Sequence, residues 1–213
     1  MSKREAGGAL GSYVNHTTCG VPRAPPSSAP TILTALQQKK LTRYFRAYDV
    51  DDDGRIARPD FERVAENVRV LHVVSGLSKS RRIVQEAFLQ RWEALRASAD
   101  ADDDGGVDLH EWLHYWDGVL SDDARFEKEV SSVTAGLFEL FDTDGDGILG
   151  SDEFCNFYGI YGLKTAQARM VFLDLDADSD GAVTRDELQA MALEFYRGDD
   201  PDAPGNRLFG PLG

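Results

Sequence analysis

The chain has 213 residues and a net charge of -14, from 37 acidic against 23 basic side chains. This length is enough for one large or two small domains with a sizeable core. The acidic excess argues against nucleic acid or an anionic membrane as a partner, and the sequence has no stretch apolar enough to cross a bilayer.

Residues 1–30 are rich in Gly, Ser, Ala and Pro and show no apolar periodicity, which predicts a disordered tail. No apolar run follows the basic start at Lys3 and Arg4, so we expect no signal peptide. The glycosylation-type sequence at Asn15 is then a chance match. The two cysteines, Cys19 and Cys155, are interpreted as reduced thiols of a cytoplasmic protein.

From Thr31 onward, apolar residues recur at steps of three and four, which is typical of amphipathic helices. Four acidic segments interrupt this pattern, with an apolar stripe before and after each one. The sequence therefore predicts an all-α fold of eight helices in four helix–loop–helix units.

The four acidic segments share one twelve-residue pattern, which is clearest in residues 142–153. Acids occupy the first, third, fifth and twelfth places, and a glycine occupies the sixth. A hard cation takes six to eight oxygen ligands, and glycine permits the sharp turn that brings them together. This is the calcium loop of an EF-hand, and it occurs in four copies.

We predict side-chain ligands at the acidic places and a main-chain carbonyl ligand at the seventh place of each loop. The predicted ligands are Asp49, Asp51, Asp53, Arg55 and Asp60 in the first loop; Asp100, Asp102, Asp104, Gly106, Asp108 and Glu111 in the second; Asp142, Asp144, Asp146, Ile148 and Glu153 in the third; and Asp176, Asp178, Asp180, Ala182, Thr184 and Glu187 in the fourth.

Up to four calcium ions are therefore expected, and in their absence the clustered carboxylates should repel one another and loosen the protein. The first loop ends in Asp60, which is one methylene shorter than the glutamate of the other loops. It reaches an ion less easily with both oxygens, so this site should be weaker for calcium or more tolerant of magnesium.

The eighth place of each loop is apolar and should form a short antiparallel bridge with the loop of its partner hand. Ile56 and Val107 occupy this place in the first two loops, and Leu149 and Val183 in the last two. We therefore predict one pair of hands in residues 31–120 and a second in residues 121–197, in one compact body. The C-terminal tail, residues 198–213, contains the apolar residues Leu208, Phe209 and Leu212. Either these side chains cover the core or the tail is a frayed end.

The chain resembles the sarcoplasmic calcium-binding proteins, in particular the bacterial calerythrin-like members. The resemblance depends on the segment Arg58-Pro59-Asp60-Phe61-Glu62, the long spacing between the first two loops and the apolar C-terminal tail. It implies a compact calcium buffer in which the first, third and fourth hands bind calcium and the second is often degenerate. Because every ligand place of the second loop is filled here, we predict four sites.

Two further motifs are discounted. The sequence from His110 to His114 matches the H-E-x-x-H signature of zinc proteases, but its glutamate, Glu111, already ends a calcium loop. The glycines at 145, 147 and 150 match a dinucleotide fingerprint that no strand precedes. No enzyme is predicted.

Two roles remain open for a calcium-binding protein of this kind, a buffer and a sensor that exposes a groove to a protein target. Sensor grooves are rich in methionine, and only Met170 and Met191 follow Met1 here. We favour the buffer, as a monomer with no identified protein target. A cavity for a small apolar ligand, as in coelenterazine-binding photoproteins, is a minor alternative.

Overall fold

The structure is a computed structural model and describes residues 32–74, 81–162, 164–176 and 178–212; the side chains of residue 69 and of residues 71–74 and 81–85 are also left out. The predicted N-terminal tail, with Cys19 and the sequence at Asn15, lies outside the described residues.

Helices flank each of the four acidic loops, which confirms the all-α fold. They are α1 (Ala35–Tyr48), α2 (Arg58–Val74), α3 (Arg81–Ala99), α4 (Leu109–Leu120), α5 (Asp123–Phe126), α6 (Ser132–Phe141), α7 (Ser151–Gly159), α8 (Thr165–Leu175) and α9 (Arg185–Arg197). A π-helical turn, Glu127–Ser131, joins α5 to α6, and a 3-10 turn, Pro204–Arg207, follows α9. None of the described helices is both long and apolar enough to span a membrane.

One of the eight predicted helices, the one that leads into the third loop, is not a continuous α-helix in the structure. The π-helical turn interrupts it, and the main-chain oxygen of Ser131 accepts a hydrogen bond of 2.9 Å from Gln189 of α9. A π turn accommodates one extra residue and is often found at functional sites. The apolar residues step by three and four through this segment, so their spacing gives no sign of the wider turn.

Short strands join the loops in the predicted pairs. β1 (Arg55–Ile56) is antiparallel to β2 (Val107–Asp108), with Ile56 opposite Val107. β3 (Ile148–Gly150) is antiparallel to β4 (Ala182–Thr184), with Leu149 opposite Val183. All four eighth-place side chains are fully buried, which explains why apolar residues are needed there.

One aromatic core serves both pairs of hands. Tyr44 of α1 makes an edge contact with Trp112 of α4, at 5.1 Å between ring centroids, and with Tyr196 of α9, at 5.9 Å. Tyr196 in turn stacks on Trp116 of α4 at 4.8 Å. Because helices of the first, second and fourth hands meet at these rings, the two pairs form the single compact body that the sequence predicts.

A buried lysine also joins the first and last hands. Lys40 of α1 is fully buried, and its Nζ donates hydrogen bonds to the main-chain oxygens of Glu194 at 3.0 Å and Gly198 at 2.7 Å. These carbonyls lie at the C-terminal end of α9, where the oxygen of Glu194 also accepts from the amide of Gly198 at 2.9 Å, and where the last carbonyls of a helix lack further partners within it. Burial lowers the pKa of Lys40, and the two carbonyls hold its ammonium in place.

The C-terminal tail covers the core, which decides between the two alternatives for this segment. Leu208 and Phe209 are each only 5% exposed, and Phe209 stacks on Tyr44 with ring centroids 3.9 Å apart. Asn206 holds the preceding turn by donating hydrogen bonds to the main-chain oxygens of Asp200 and Pro201. Leu212 is partly exposed.

Candidate metal centres

The four loops have the same backbone turn. Their sixth-place glycines have positive φ angles of +86° at Gly54, +91° at Gly105, +86° at Gly147 and +88° at Gly181. Residues other than glycine rarely adopt this backbone conformation. The turn directs the acids before it and after it toward one point.

The first-place aspartate of each loop holds this turn in shape by accepting main-chain hydrogen bonds. In the first loop, Asp49 accepts from the amides of Asp53 at 3.1 Å and Gly54 at 3.0 Å. In the fourth loop, Asp176 accepts from Asp180 at 2.9 Å and Gly181 at 3.0 Å. These bonds preorganise the loop before any cation enters.

Acidic side chains meet in each loop, with one carboxylate oxygen of each residue within 4.8 Å of the others. The four groups are Asp49, Asp51 and Asp53; Asp100, Asp102 and Glu111; Asp142, Asp144 and Glu153; and Asp176, Asp178 and Asp180. Among the described residues, the remaining predicted acidic ligands do not belong to these close groups: Asp60, Asp104, Asp108, Asp146 and Glu187. Each group offers oxygen ligands only, a donor set that fits a hard cation such as Ca²⁺ or Mg²⁺.

In the second and third loops the twelfth-place carboxylate closes the loop by accepting hydrogen bonds from main-chain amides at both of its ends. Glu111 accepts from Ala101 at 2.8 Å and from Asp108 at 3.0 Å. Glu153 accepts from Thr143 at 2.8 Å and from Gly150 at 3.2 Å. The carboxylate that is predicted to bind the ion therefore already spans the loop.

The shorter Asp60 makes the same connections in the first loop. It accepts from the amides of Val50 at 3.1 Å and Ala57 at 2.8 Å, and it is only 4% exposed. Burial raises the pKa of its carboxyl group, and the two amide hydrogen bonds oppose this shift. Asp60 therefore contacts both ends of its loop from a buried position, although its side chain is one methylene shorter than that of glutamate.

In the second and fourth loops the side chain of the ninth-place residue caps the helix that leaves the loop. In the second loop Asp108 accepts a hydrogen bond of 2.9 Å from the amide of Glu111, and in the fourth loop Thr184 accepts from Glu187 at 3.2 Å. The carboxylates of the two glutamates accept hydrogen bonds from the amides of Asp108 and Thr184 in return, which completes two capping boxes. The predicted ligand Asp108 thus has a structural role as well.

The seventh-place carbonyls predicted as ligands belong to residues of the short strands, except that of Gly106, which directly precedes β2. Each loop's fifth-place aspartate accepts a hydrogen bond from the amide of this seventh residue, at 2.9 Å for Arg55, 3.1 Å for Gly106, 3.0 Å for Ile148 and 2.9 Å for Ala182. In the first, third and fourth loops, strand pairing therefore fixes the position of one predicted ligand relative to the loop of the partner hand.

The first and second loops are also joined by an ion pair that the sequence analysis missed. The Arg55 guanidinium donates a hydrogen bond to the carboxylate of Asp104, the fifth-place acid of the second loop. A Cβ atom at Gly106 would lie 2.8 Å from Arg55 Nε, so a glycine at that place leaves room for the guanidinium. Arg55 holds the pKa of Asp104 below its usual range.

The comparisons with known proteins agree with this geometry. The EF hand family model matches residues 42–65, 135–158 and 169–192, which contain the first, third and fourth loops. Calerythrin from Saccharopolyspora erythraea is 23% identical over 167 residues, or 78% of this chain and 94% of calerythrin. The probable calcium-binding protein CML29 from Oryza sativa subsp. japonica is 30% identical over 155 residues, or 71% of this chain and 80% of that protein. The structure of a sarcoplasmic calcium-binding protein from amphioxus matches with a TM-score of 0.62 and 21% identity, over 84% of this chain and 98% of that one.

The chain belongs to the EF-hand calcium-binding proteins, and calerythrin and the sarcoplasmic calcium-binding proteins are among the relatives that it resembles over most of its length. It is a calcium-binding EF-hand protein.

The zinc-protease signature of this EF-hand protein has no matching site among the described residues. His110 and His114 are both exposed, while Glu111 lies with Asp100 and Asp102 in the second acidic group. The relatives are calcium-binding proteins, and the signature is explained by the end of a calcium loop.

Proposed function

We propose that this EF-hand protein is a calcium buffer, which holds up to four ions and closes around them without opening a groove to a target. The observation that carries this proposal is the position of Phe209. Its ring lies against Tyr44 of α1, Phe195 of α9 and Tyr161, at centroid distances of 3.9, 5.0 and 5.6 Å.

This contact opposes a sensor-type opening. A sensor moves the helices of a hand apart and exposes an apolar groove. Here the first hand cannot move away from the fourth without withdrawing Phe209 from Tyr44 and breaking the Lys40 hydrogen bonds to Glu194 and Gly198. The first change exposes apolar surface to water, and the second leaves buried polar groups without hydrogen-bond partners. Each is unfavourable.

The methionines support the same conclusion. Sensor grooves use several flexible methionines to accept different targets. Within the described residues, Met191 is buried in the core and Met170 lies on the surface of α8. The interior is instead built from rigid aromatic rings.

The ions are proposed to bind to the predicted ligands of all four loops. Bound ions would supply the positive charge that four groups of facing carboxylates lack. Magnesium is proposed to compete best at the first site, where Asp60 is the shorter closing ligand. Residues 31–120 and 121–197 are proposed as the two pairs, in a cytoplasmic protein whose Cys155 stays a free thiol.

A sensor is the second candidate, and one observation favours it. Met170 and Leu173 of α8 are 68% and 73% exposed, so this helix presents apolar side chains to solvent. The two candidates differ in what calcium does to the exposed apolar surface.

The test is the fluorescence of Nile red, a neutral apolar dye, in chelator, in magnesium and through a calcium titration. A buffer gives a signal that falls from the apo state on addition of either ion. A signal that calcium raises above the magnesium state would establish the sensor. Phe209→Ala is the positive control, since it uncovers the core, and Leu193→Ala, at a residue that is 51% exposed, is its matched control.

A further inference from the structure

A cavity of about 270 Å³ lies between α1, α3, α4 and the π-helical turn, and none of its lining residues is a predicted metal ligand. Its walls are mainly aromatic: Tyr44, Tyr48, Phe61, Trp112, Tyr115 and Trp116. Gln90 and Ala94 also line it and are exposed, so the cavity is accessible from the surface. A second cavity, of about 30 Å³, shares Tyr44, Glu129 and Val133 with the larger one.

The charges around the cavity are unusual for this protein. Arg91 of α3 lines it with a side chain only 26% exposed, and its Nη1 lies 3.7 Å from Glu129 Oε2. Lys128 Nζ lies 3.8 Å from the other carboxylate oxygen of Glu129. Two cationic side chains thus line the cavity with one anionic side chain, in a chain whose net charge is -14.

One buried hydrogen-bond donor at the cavity has no partner. Trp116 is 1% exposed and lines the cavity, and its indole Nε1 has no acceptor among the described residues. By contrast, Nε1 of Trp112 donates to the main-chain oxygen of Leu41 at 3.0 Å. An unpaired buried donor is costly and needs an explanation, such as a missing ligand.

The polar side of the cavity comes from the irregular part of the helix. Lys128 and Glu129 both belong to the π-helical turn, Glu127–Ser131, and not to regular α-helix. Burial raises the pKa of Tyr44 and Tyr115, so their hydroxyl groups stay protonated. Aromatic walls with a few convergent polar groups are the usual features of a small-molecule site.

We propose that this cavity binds a planar aromatic molecule of about two fused rings that carries one negative charge. The anionic group pairs with Arg91, the rings contact the aromatic walls, and an acceptor atom receives the Trp116 indole N–H. The size follows from the volume, since a cavity of about 150 Å³ accommodates benzene. The sign of the ligand charge follows from Arg91 and Lys128 outnumbering Glu129.

The test is a titration of the calcium-loaded full chain with 2-naphthoate, followed by calorimetry and by tryptophan fluorescence. We expect saturable one-to-one binding, with the neutral isostere 2-naphthamide about tenfold weaker. Cyclohexanecarboxylate, which has the charge without the aromatic rings, should bind more weakly still. Absence of saturable binding, or equal binding of the amide, would overturn the proposal.

Variants locate the site. Glu129→Gln frees Arg91 from its ion pair and should strengthen 2-naphthoate binding by about three- to tenfold, a gain that misfolding cannot produce. Arg91→Gln should weaken it by about tenfold, and Trp116→Phe by a smaller factor. Arg96→Gln, at an exposed arginine of the same helix, is the matched control and should change nothing. Unchanged binding in both Glu129→Gln and Arg91→Gln would show that the probe binds elsewhere and would refute the assignment.

Discussion

The two pairs of hands have nearly the same acids but differ in what those acids contact. In the amino-terminal pair, Arg55 extends from the seventh place of one loop to Asp104 in the next, over the space left by Gly106. In the carboxy-terminal pair the seventh places are Ile148 and Ala182, which carry no charge. Two loops with complete sets of acidic ligands are therefore not equally available to calcium, because a neighbouring arginine can pair with one of the acids in one of them.

This difference predicts an order of filling. A cation entering the second loop must compete with Arg55 for Asp104, and the first loop closes with the shorter Asp60. The third and fourth loops both close with glutamates, and their seventh places carry no charged side chain that could pair with an acid of the partner loop. We therefore expect the carboxy-terminal pair to bind calcium more tightly than the amino-terminal pair.

The largest expected effect comes from removing ions from both pairs at once. A ligand at about 1,000 times its Kd stabilises a protein by about 4 kcal/mol per site, and each kcal/mol is about 2–4 °C of Tm at this size. We expect Tm in chelator to be lower than in calcium by more than about 10 °C, as measured by calorimetry. The shared aromatic core predicts one transition for both pairs. Equal melting temperatures in the two conditions would contradict the proposed metal sites.

The next effect tests the carboxy-terminal pair alone. Glu153→Gln removes a charged ligand that also closes the third loop, and should weaken one calcium site by at least about tenfold. Isothermal titration calorimetry should show one tight step lost and the others kept. Asp152→Asn, at the exposed neighbouring acid, is the matched control and should leave all steps in place.

A smaller effect is expected from lengthening the closing acid of the first loop. Asp60→Glu restores the longer ligand of the other three loops and should raise the preference of this site for calcium over magnesium by about tenfold. Calcium titrations at several fixed magnesium concentrations measure this preference. Since Asp60 is buried against the amides of Val50 and Ala57, the melting temperature should be measured alongside. A preference that stays the same in a folded variant would show that Asp60 does not bind the ion.

The smallest effect concerns the ion pair between the loops. Arg55 and Asp104 are 40% and 38% exposed, and an ion pair this exposed to water is weak. Arg55→Gln should therefore raise the calcium affinity of the second site by only about two- to fivefold. Arg58→Gln is the control, because Arg58 is a neighbouring arginine that pairs with Glu62, a residue beyond the end of the first loop and not a predicted ligand. A decrease in affinity would show that Arg55 supports the second site.

The sequence was sufficient for the features that depend on local patterns. The twelve-residue repeat predicted the loops, and the apolar eighth places predicted that Ile56 pairs with Val107 and Leu149 with Val183, as the structure confirms. These features follow from spacing within one loop and from a symmetric contact between two loops. The assignment of each ligand to an ion stays a prediction.

The features that the sequence did not predict depend on contacts between distant segments. Arg55 was predicted as a carbonyl ligand, and its side chain gave no sign of its partner 49 residues away. The π-helical turn leaves the apolar spacing unchanged, so the position of Glu129 opposite Arg91 could not be inferred. The tail was equally compatible with fraying until Phe209 was found against Tyr44.

The most direct test of four unequal sites is native mass spectrometry of the protein through a calcium titration, with Arg55→Gln beside it. We expect the wild type to reach four bound ions, with the fourth added only at higher calcium, and Arg55→Gln to add its fourth ion earlier. Saturation of both proteins at three ions would contradict the proposal, because it would mean that one of the four loops does not bind calcium even when Asp104 is free.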